Sequence, residues 1–190
     1  MVTSAAAFLG LLCALAAERG FELWLSARHA RRLLARGGFE VGRGHYPPMA
    51  ALHTAFLGAC ALEVLALDRP FPGALGWSCL GVAAGAQMLR YWCVATLGDR
   101  WSTRIIVVPG APPVTSGPYR WLRHPNYLAV AVEMAAVPLI HGAWLTAIAF
   151  SAANAAVLFV RIRAEEQALG DPYAEAFSDR PRFVPNPFRR

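Results

Sequence analysis

Lysine is absent from this 190-residue chain, so all 18 basic residues are arginines, a skew that reads as codon bias. Charge of either sign is scarce: 16% of residues are charged, against 56% hydrophobic. Soluble domains carry about a quarter charged residues, so that class is excluded. Cysteine is limited to Cys13, Cys60, Cys79 and Cys93, all inside apolar runs and without metal-ligand spacing. They read as small hydrophobes, which leaves no metal site and no disulfide framework. No internal repeat and no low-complexity linker interrupts the chain, so a single domain over 1–190 is expected. The net charge of +6 could point to nucleic acid. In so apolar a chain it is read as a topological signal instead, with no nucleic-acid partner.

What is present is hydrophobic length. Five apolar segments stand out, at 2–25, 48–67, 73–97, 126–140 and 143–161. The first three are near or above the roughly 20 residues that cross a hydrocarbon core of about 30 Å. The fourth reaches only about 22 Å at helical rise and is followed at once by His141-Gly142. The last two segments therefore read as a tight helical hairpin entering and leaving by one membrane face. The first run lacks a basic leading region, and Glu18-Arg19 stands where a small-residue cleavage site would fall. A retained helix is expected there instead of a signal peptide. The fold class is thus an all-α integral membrane protein of about five transmembrane helices. Three N-terminal spans occupy 1–97, and a connector, the hairpin and a cytoplasmic C-terminal helix and tail occupy 98–190.

Orientation follows from arginine placement. All but Arg19, Arg69 and Arg90 fall in the segments 26–47, 98–125 and 161–190, which share one side if there are five spans. The positive-inside rule then puts the N-terminus outside and the C-terminus in the cytoplasm of a bacterial-type plasma membrane. Several ionisable groups fall inside the spans, where they are costly and point to function. Counted in helical rise, most of Glu18, Glu22, His53, Gln87, Arg90 and Glu133 lie roughly 5–15 Å below the inner face. A shared polar chamber is the expectation, with Arg90 and Glu133 as its pair. For Glu18, Arg19 and Glu22 the alternative is snorkelling to the interface. Glu63 belongs near the outer end.

Two polar clusters frame the hairpin. The first is "SGPYRWLRHPNYLAV" at 116–130. Gly117-Pro118 makes a turn, and Pro125 suits the first position of the fourth helix. A helix start offers free N–H donors and a positive dipole end to an anionic group. Tyr119, Arg123, His124 and Tyr127 add donors for a carboxylate and faces for an adenine, the alternative being an interfacial anchor belt. The second cluster is "RIRAEEQALGDPYAEAF" at 161–177. Arg161 and Glu165 can touch as an i,i+4 pair. Glu165 and Glu166 could hold ribose hydroxyls or an α-amino group, or form a solvated charged end.

The run "GPYRWLRHPNY", followed by "RIRAEE", "LGDPYAEAF" and "RPRFVPNPF", resembles the isoprenylcysteine carboxyl methyltransferase family and its phospholipid-methyltransferase relatives. The likeness covers about 97–185. The stretches "RGFELWLSARHARRLLARGGFEVGRGHYPPMAALH" and "LGDRWSTRIIVVPG" look like a bacterial branch associated with polyketide-type phenolic and pyrone lipids. The resemblance implies an integral-membrane O-methyltransferase using S-adenosylmethionine, with membrane lipids and a lipidic acceptor as partners. Cofactor binding would fall to Gly117, Pro118, Tyr119, Arg123, His124, Pro125, Tyr127, Glu165 and Glu166. Tyr173 and Arg182 match the tail pattern more weakly. Relatives often carry glycine two positions after the motif tyrosine, where this chain has Ala129. Arg161 and Arg182 would orient the acceptor; Glu133, His124 or Glu166 could serve as base for a phenol, whose pKa near 10 demands one. A carboxylate acceptor needs none. Rival classes are a phospholipid N-methyltransferase, a non-enzymatic channel, transporter or scaffold, and, remotely, a sterol-reductase-like protein.

Overall fold

The computed structural model describes residues 2–183, with side chains from residue 4 onward. Five α-helices carry the chain: α1 (Val2–Ala35), α2 (Tyr46–Ala66), α3 (Ala74–Leu97), α4 (Pro125–Leu139) and α5 (Trp144–Ala176). They stand where the five apolar segments were read. Three of them, α1, α2 and α5, are long and apolar enough to cross a membrane. Prolines sit in the first turns of α2 and α4, where a missing N–H breaks no helical bond. Gly98, at φ 53°, closes α3.

The first helix overruns its expected end at Leu25 by ten residues and stops only before Gly37-Gly38. Hydropathy ends where arginines begin, but helix propensity does not: "SARHARRLLA" contains no breaker. This extension buries Ser26, His29, Ala30 and Leu33, a helical stripe that docks on the connector after α3. Ser26 Oγ accepts the Thr103 N–H at 2.9 Å. Asp99 binds Arg32 at 2.8 Å, and Arg36 and His29 at 3.6 Å each. His29 Nδ1 donates to the Trp101 carbonyl at 2.9 Å. Two short strands, β1 (Phe39–Val41) and β2 (Ile105–Val107), then pair antiparallel with Glu40 opposite Ile106.

The apolar core joins Phe8 and Leu12 of α1, Phe56 and Cys60 of α2, and Met134 and Val137 of α4. α4 is the most enclosed helix, with Ala129 wholly buried. The outer surface is the reverse of a soluble one: Met88 is 71% exposed, Leu62 68% and Trp77 66%. That much unpartnered apolar surface belongs against lipid. Between α4 and α5, Gly142 at φ 70° makes the tight turn, and the Ala143 N–H returns to the Pro138 carbonyl at 3.0 Å. Glu63 reaches across from α2 to the start of α5. It accepts the N–H groups of Leu145 and Thr146 at 3.2 and 2.7 Å and the Thr146 hydroxyl at 2.7 Å, and pairs with Arg69 at 3.0 Å.

Candidate functional site

At the arginine-rich end the hairpin brings the two motif clusters together. Glu166 accepts from His124 Nε2 at 3.1 Å and from the Arg182 guanidinium at 3.0 and 2.6 Å. The two-pronged bond from Arg182 is the strong geometry for a carboxylate, and it raises the Arg182 pKa. The backbone supports the same contact. Arg123 and His124 donate their N–H groups to the carbonyls of Pro181 and Arg182 at 3.0 and 3.2 Å. Arg123 Nε donates to Arg180 O at 2.6 Å, and Arg180 donates to Tyr119 O at 2.9 Å. The His124 ring lies between Tyr127 and Tyr173, with centroids 5.5 and 6.1 Å away.

Tyr173 reaches this place because α5 breaks at Gly170, whose φ 65° and ψ −159° belong to a region that only glycine enters freely. The chain past the break folds Tyr173 and Phe177 onto Tyr119 and Cys93. The Tyr173 hydroxyl donates to Arg123 O at 3.2 Å. Gly117, Pro118 and Tyr119 form a 3₁₀ turn, Gly117–Arg120, against α3. Gly117 has φ +55°, and a Cβ there would collide with Thr96. Pro118 and Tyr119 are buried, and burial pushes the Tyr119 phenol well above its ordinary pKa. In this arrangement the turn packs the connector onto α3.

Glu165 behaves differently from its neighbour. Its Oε2 is buried without a hydrogen-bond partner among the described residues, as are Arg161 Nε and Asn126 Oδ1. Tyr127 lies close to both Glu165 and Arg161. Arg161 itself is 3% exposed and donates through Nη2 to the Thr103 carbonyl at 2.8 Å. One acid acceptor, one amide oxygen and one guanidinium donor therefore stand unpaired around Tyr127, beside the aromatic faces of Tyr127 and Tyr173. Unsatisfied buried polar atoms are costly. This set fits a ligand carrying an ammonium, hydroxyls, a carboxylate and an aromatic base.

Deeper along α4 lies a second polar group. Arg90 pairs with Glu133, and Glu22 lies 3.6 Å from Arg90. Arg19 binds Glu133 and Gln87 at 3.1 Å each, pairs with Glu22, and stands 3.8 Å from Glu18, which Gln87 also meets. Glu18, Arg19 and Glu22 thus turn inward and do not snorkel to the interface. Arg19 was the residue sequence reasoning undervalued, because its direction depends on how α1 is rotated. His53, Arg19, Arg90 and Glu133 share one narrow cleft of about 40 Å³. Among the described residues no group of three His, Cys, Asp or Glu is arranged to hold a metal ion.

The three residues read as acting on the acceptor stand apart: Glu133 in the deep cleft, Arg161 beside Tyr127, Arg182 on Glu166. The part of "RPRFVPNPF" from 184 onward, with Arg189 and Arg190, lies outside the described residues. Sequence reasoning missed the Ser26–Thr103 and His29–Asp99 contacts. The signal was available in "SARHARR" and "LGDRWST", polar stretches with no other visible purpose.

Residues 79–171 match the model of the isoprenylcysteine carboxyl methyltransferase family. The chain is 36% identical over 159 residues to the uncharacterized protein YpbQ of Bacillus subtilis, covering 84% of this chain and 94% of that protein. It is 27% identical over 154 residues to an uncharacterized protein of Haemophilus influenzae, covering 80% and 89%. The family match includes His124, Glu165 and Glu166 but stops before Tyr173 and Arg182. The chain belongs to the isoprenylcysteine carboxyl methyltransferase family and is an integral-membrane methyltransferase.

Proposed function

We propose that the protein is an S-adenosylmethionine-dependent O-methyltransferase acting on a lipidic acceptor, either an isoprenylcysteine-type carboxylate or a phenolic or pyrone hydroxyl. The observation that carries this reading is the contact of His124 with Glu166 beside the unpaired Asn126, Arg161 and Glu165 atoms. When bound there, S-adenosylmethionine would supply a sulfonium methyl group to an oxygen nucleophile by in-line displacement. Glu165 Oε2 and Asn126 Oδ1 accept from ammonium or ribose hydroxyl groups. Arg161 Nε donates to a carboxylate, an arrangement helped by the positive end of α4. Tyr127 and Tyr173 offer ring faces to an adenine. Glu166 holds His124 and Arg182 so that the tail covers the site and excludes water, which strengthens every electrostatic contact inside. The acceptor's apolar tail stays in the bilayer, and its head meets the donor near the cytoplasmic face.

The test is turnover by the purified full chain in detergent with radiolabelled S-adenosylmethionine. A prenylcysteine analogue, an alkylresorcinol and phosphatidylethanolamine serve as parallel acceptors. Methylation of either oxygen acceptor is the expected result. Methylation of phosphatidylethanolamine alone would replace this reading with an N-methyltransferase.

A further inference from the structure

A hydroxyl acceptor must lose a proton, and the bases anticipated from sequence are all engaged. His124 Nε2 faces Glu166, and both Glu166 oxygens are held by His124 and Arg182. Glu133 places one oxygen on Arg19 and the other on Arg90. His53, on α2, is different. Its Nδ1 stands 2.9 Å from the Met49 carbonyl. A carbonyl oxygen only accepts, so Nδ1 carries the proton and Nε2 of the neutral ring keeps its lone pair. No hydrogen bond reaches Nε2 among the described residues.

The ring lines the deep cleft, whose other walls mix the charged Arg19, Arg90 and Glu133 with the apolar Phe56, Leu57 and Met134. That combination suits one polar head on an apolar tail. Glu22 and Arg90 are 7% and 6% exposed, yet Glu22 Oε1 and Arg90 Nε have no partner among the described residues. The cluster holds three carboxylates, Glu18, Glu22 and Glu133, against two guanidiniums, Arg19 and Arg90. The cleft wall itself carries Arg19, Arg90 and only one of these carboxylates, Glu133, so in a weakly polar interior it favours the oxyanion left when an acceptor hydroxyl loses its proton. Val130, also on the cleft wall, lies one α4 turn from Tyr127, about 4.5 Å along the axis.

We propose that this cleft takes the hydroxyl end of an acceptor bearing an acidic hydroxyl, the rest of the head lying at its mouth, and that His53 Nε2 takes the proton. The inference rests on the methyltransferase reading above. In the step, the acceptor O–H bond breaks and the proton passes to His53. The oxygen–carbon bond forms as the carbon–sulfur bond of the sulfonium donor breaks, its electron pair remaining on sulfur. One positive charge moves from sulfur to imidazole.

The experiment uses the purified full chain in detergent and a long-chain alkyl nitrophenol, whose phenolate is read by visible absorbance, with no methyl donor present. Wild type is expected to lower the probe's ionisation midpoint by about one pH unit or more. His53→Gln should bind the probe and S-adenosylhomocysteine as wild type does but abolish that shift. With donor added, its methylation of an alkylphenol should fall by about 100-fold or more. Met134→Trp, which fills the cleft, should prevent probe binding. An equal shift in His53→Gln, or undiminished probe binding by Met134→Trp, would overturn the proposal. Failure of wild type to bind S-adenosylhomocysteine would instead strike the methyltransferase reading, which the donor-free probe does not touch.

Discussion

Neighbouring residues on a helix point about 100° apart, and that rotation divides Glu165 from Glu166. Glu166 is spent on His124 and Arg182, whereas Glu165 keeps an unpaired oxygen. The sequence shows two acids at the base of a helix and the histidine that joins one of them. It does not show which, because the choice depends on where α4 and the tail sit. The two substitutions should therefore separate. Glu166→Gln should destabilise the tail, exposing the chain beyond Gly170 to limited proteolysis and costing about 1–3 kcal/mol. Glu165→Gln should leave proteolysis unchanged and weaken S-adenosylhomocysteine binding about tenfold or more. Equal protease patterns for the two variants would refute the division. Arg19 was illegible for the same reason: whether an arginine seven residues before Ser26 turns inward or toward water is decided by partners on α3 and α4.

Helices were the most legible elements, since apolar length and prolines mark them directly. Their polar junctions were not, because each needs two distant segments. Glu63 reads as a lone acid near an outer membrane surface, yet it satisfies the start of α5 eighty residues later. Glu63→Ala should cost about 2–3 kcal/mol, from the lost helix-start bonds and from Arg69 left unpaired. Unfolding of the variant in mixed micelles measures this, and a cost under about 0.5 kcal/mol would remove the cap from the account. Gly117 was legible as a turn, but not its reason. Positive φ and the side of Thr96 leave no room for a Cβ, so Gly117→Ala should lift the connector from α3. The expected cost is about 1–3 kcal/mol, read in the same unfolding assay, and an unchanged midpoint would contradict it.

For the whole molecule, composition alone declared a membrane protein, and arginine placement proposed its direction. The described end that carries β1, β2, the His124–Glu166 contact and the α1 extension is the arginine-rich one. It should face the cytoplasm, with the His141-Gly142 turn outside. Single cysteines placed at Arg163 and at Pro70, an exposed position in the loop beside that turn, in a cysteine-free background should answer differently to an impermeant maleimide added to intact cells. Only the Pro70 site should be labelled, and the reverse pattern would invert the topology.

On the proposed function, one end of the hairpin holds a nucleoside-bearing methyl donor. The decisive experiment is calorimetric titration of the detergent-purified chain with S-adenosylhomocysteine. Saturable binding at one site per chain, lost in His124→Ala and weakened in Glu165→Gln, is the predicted result. No heat of binding to wild type, or the same affinity in all three proteins, would contradict it.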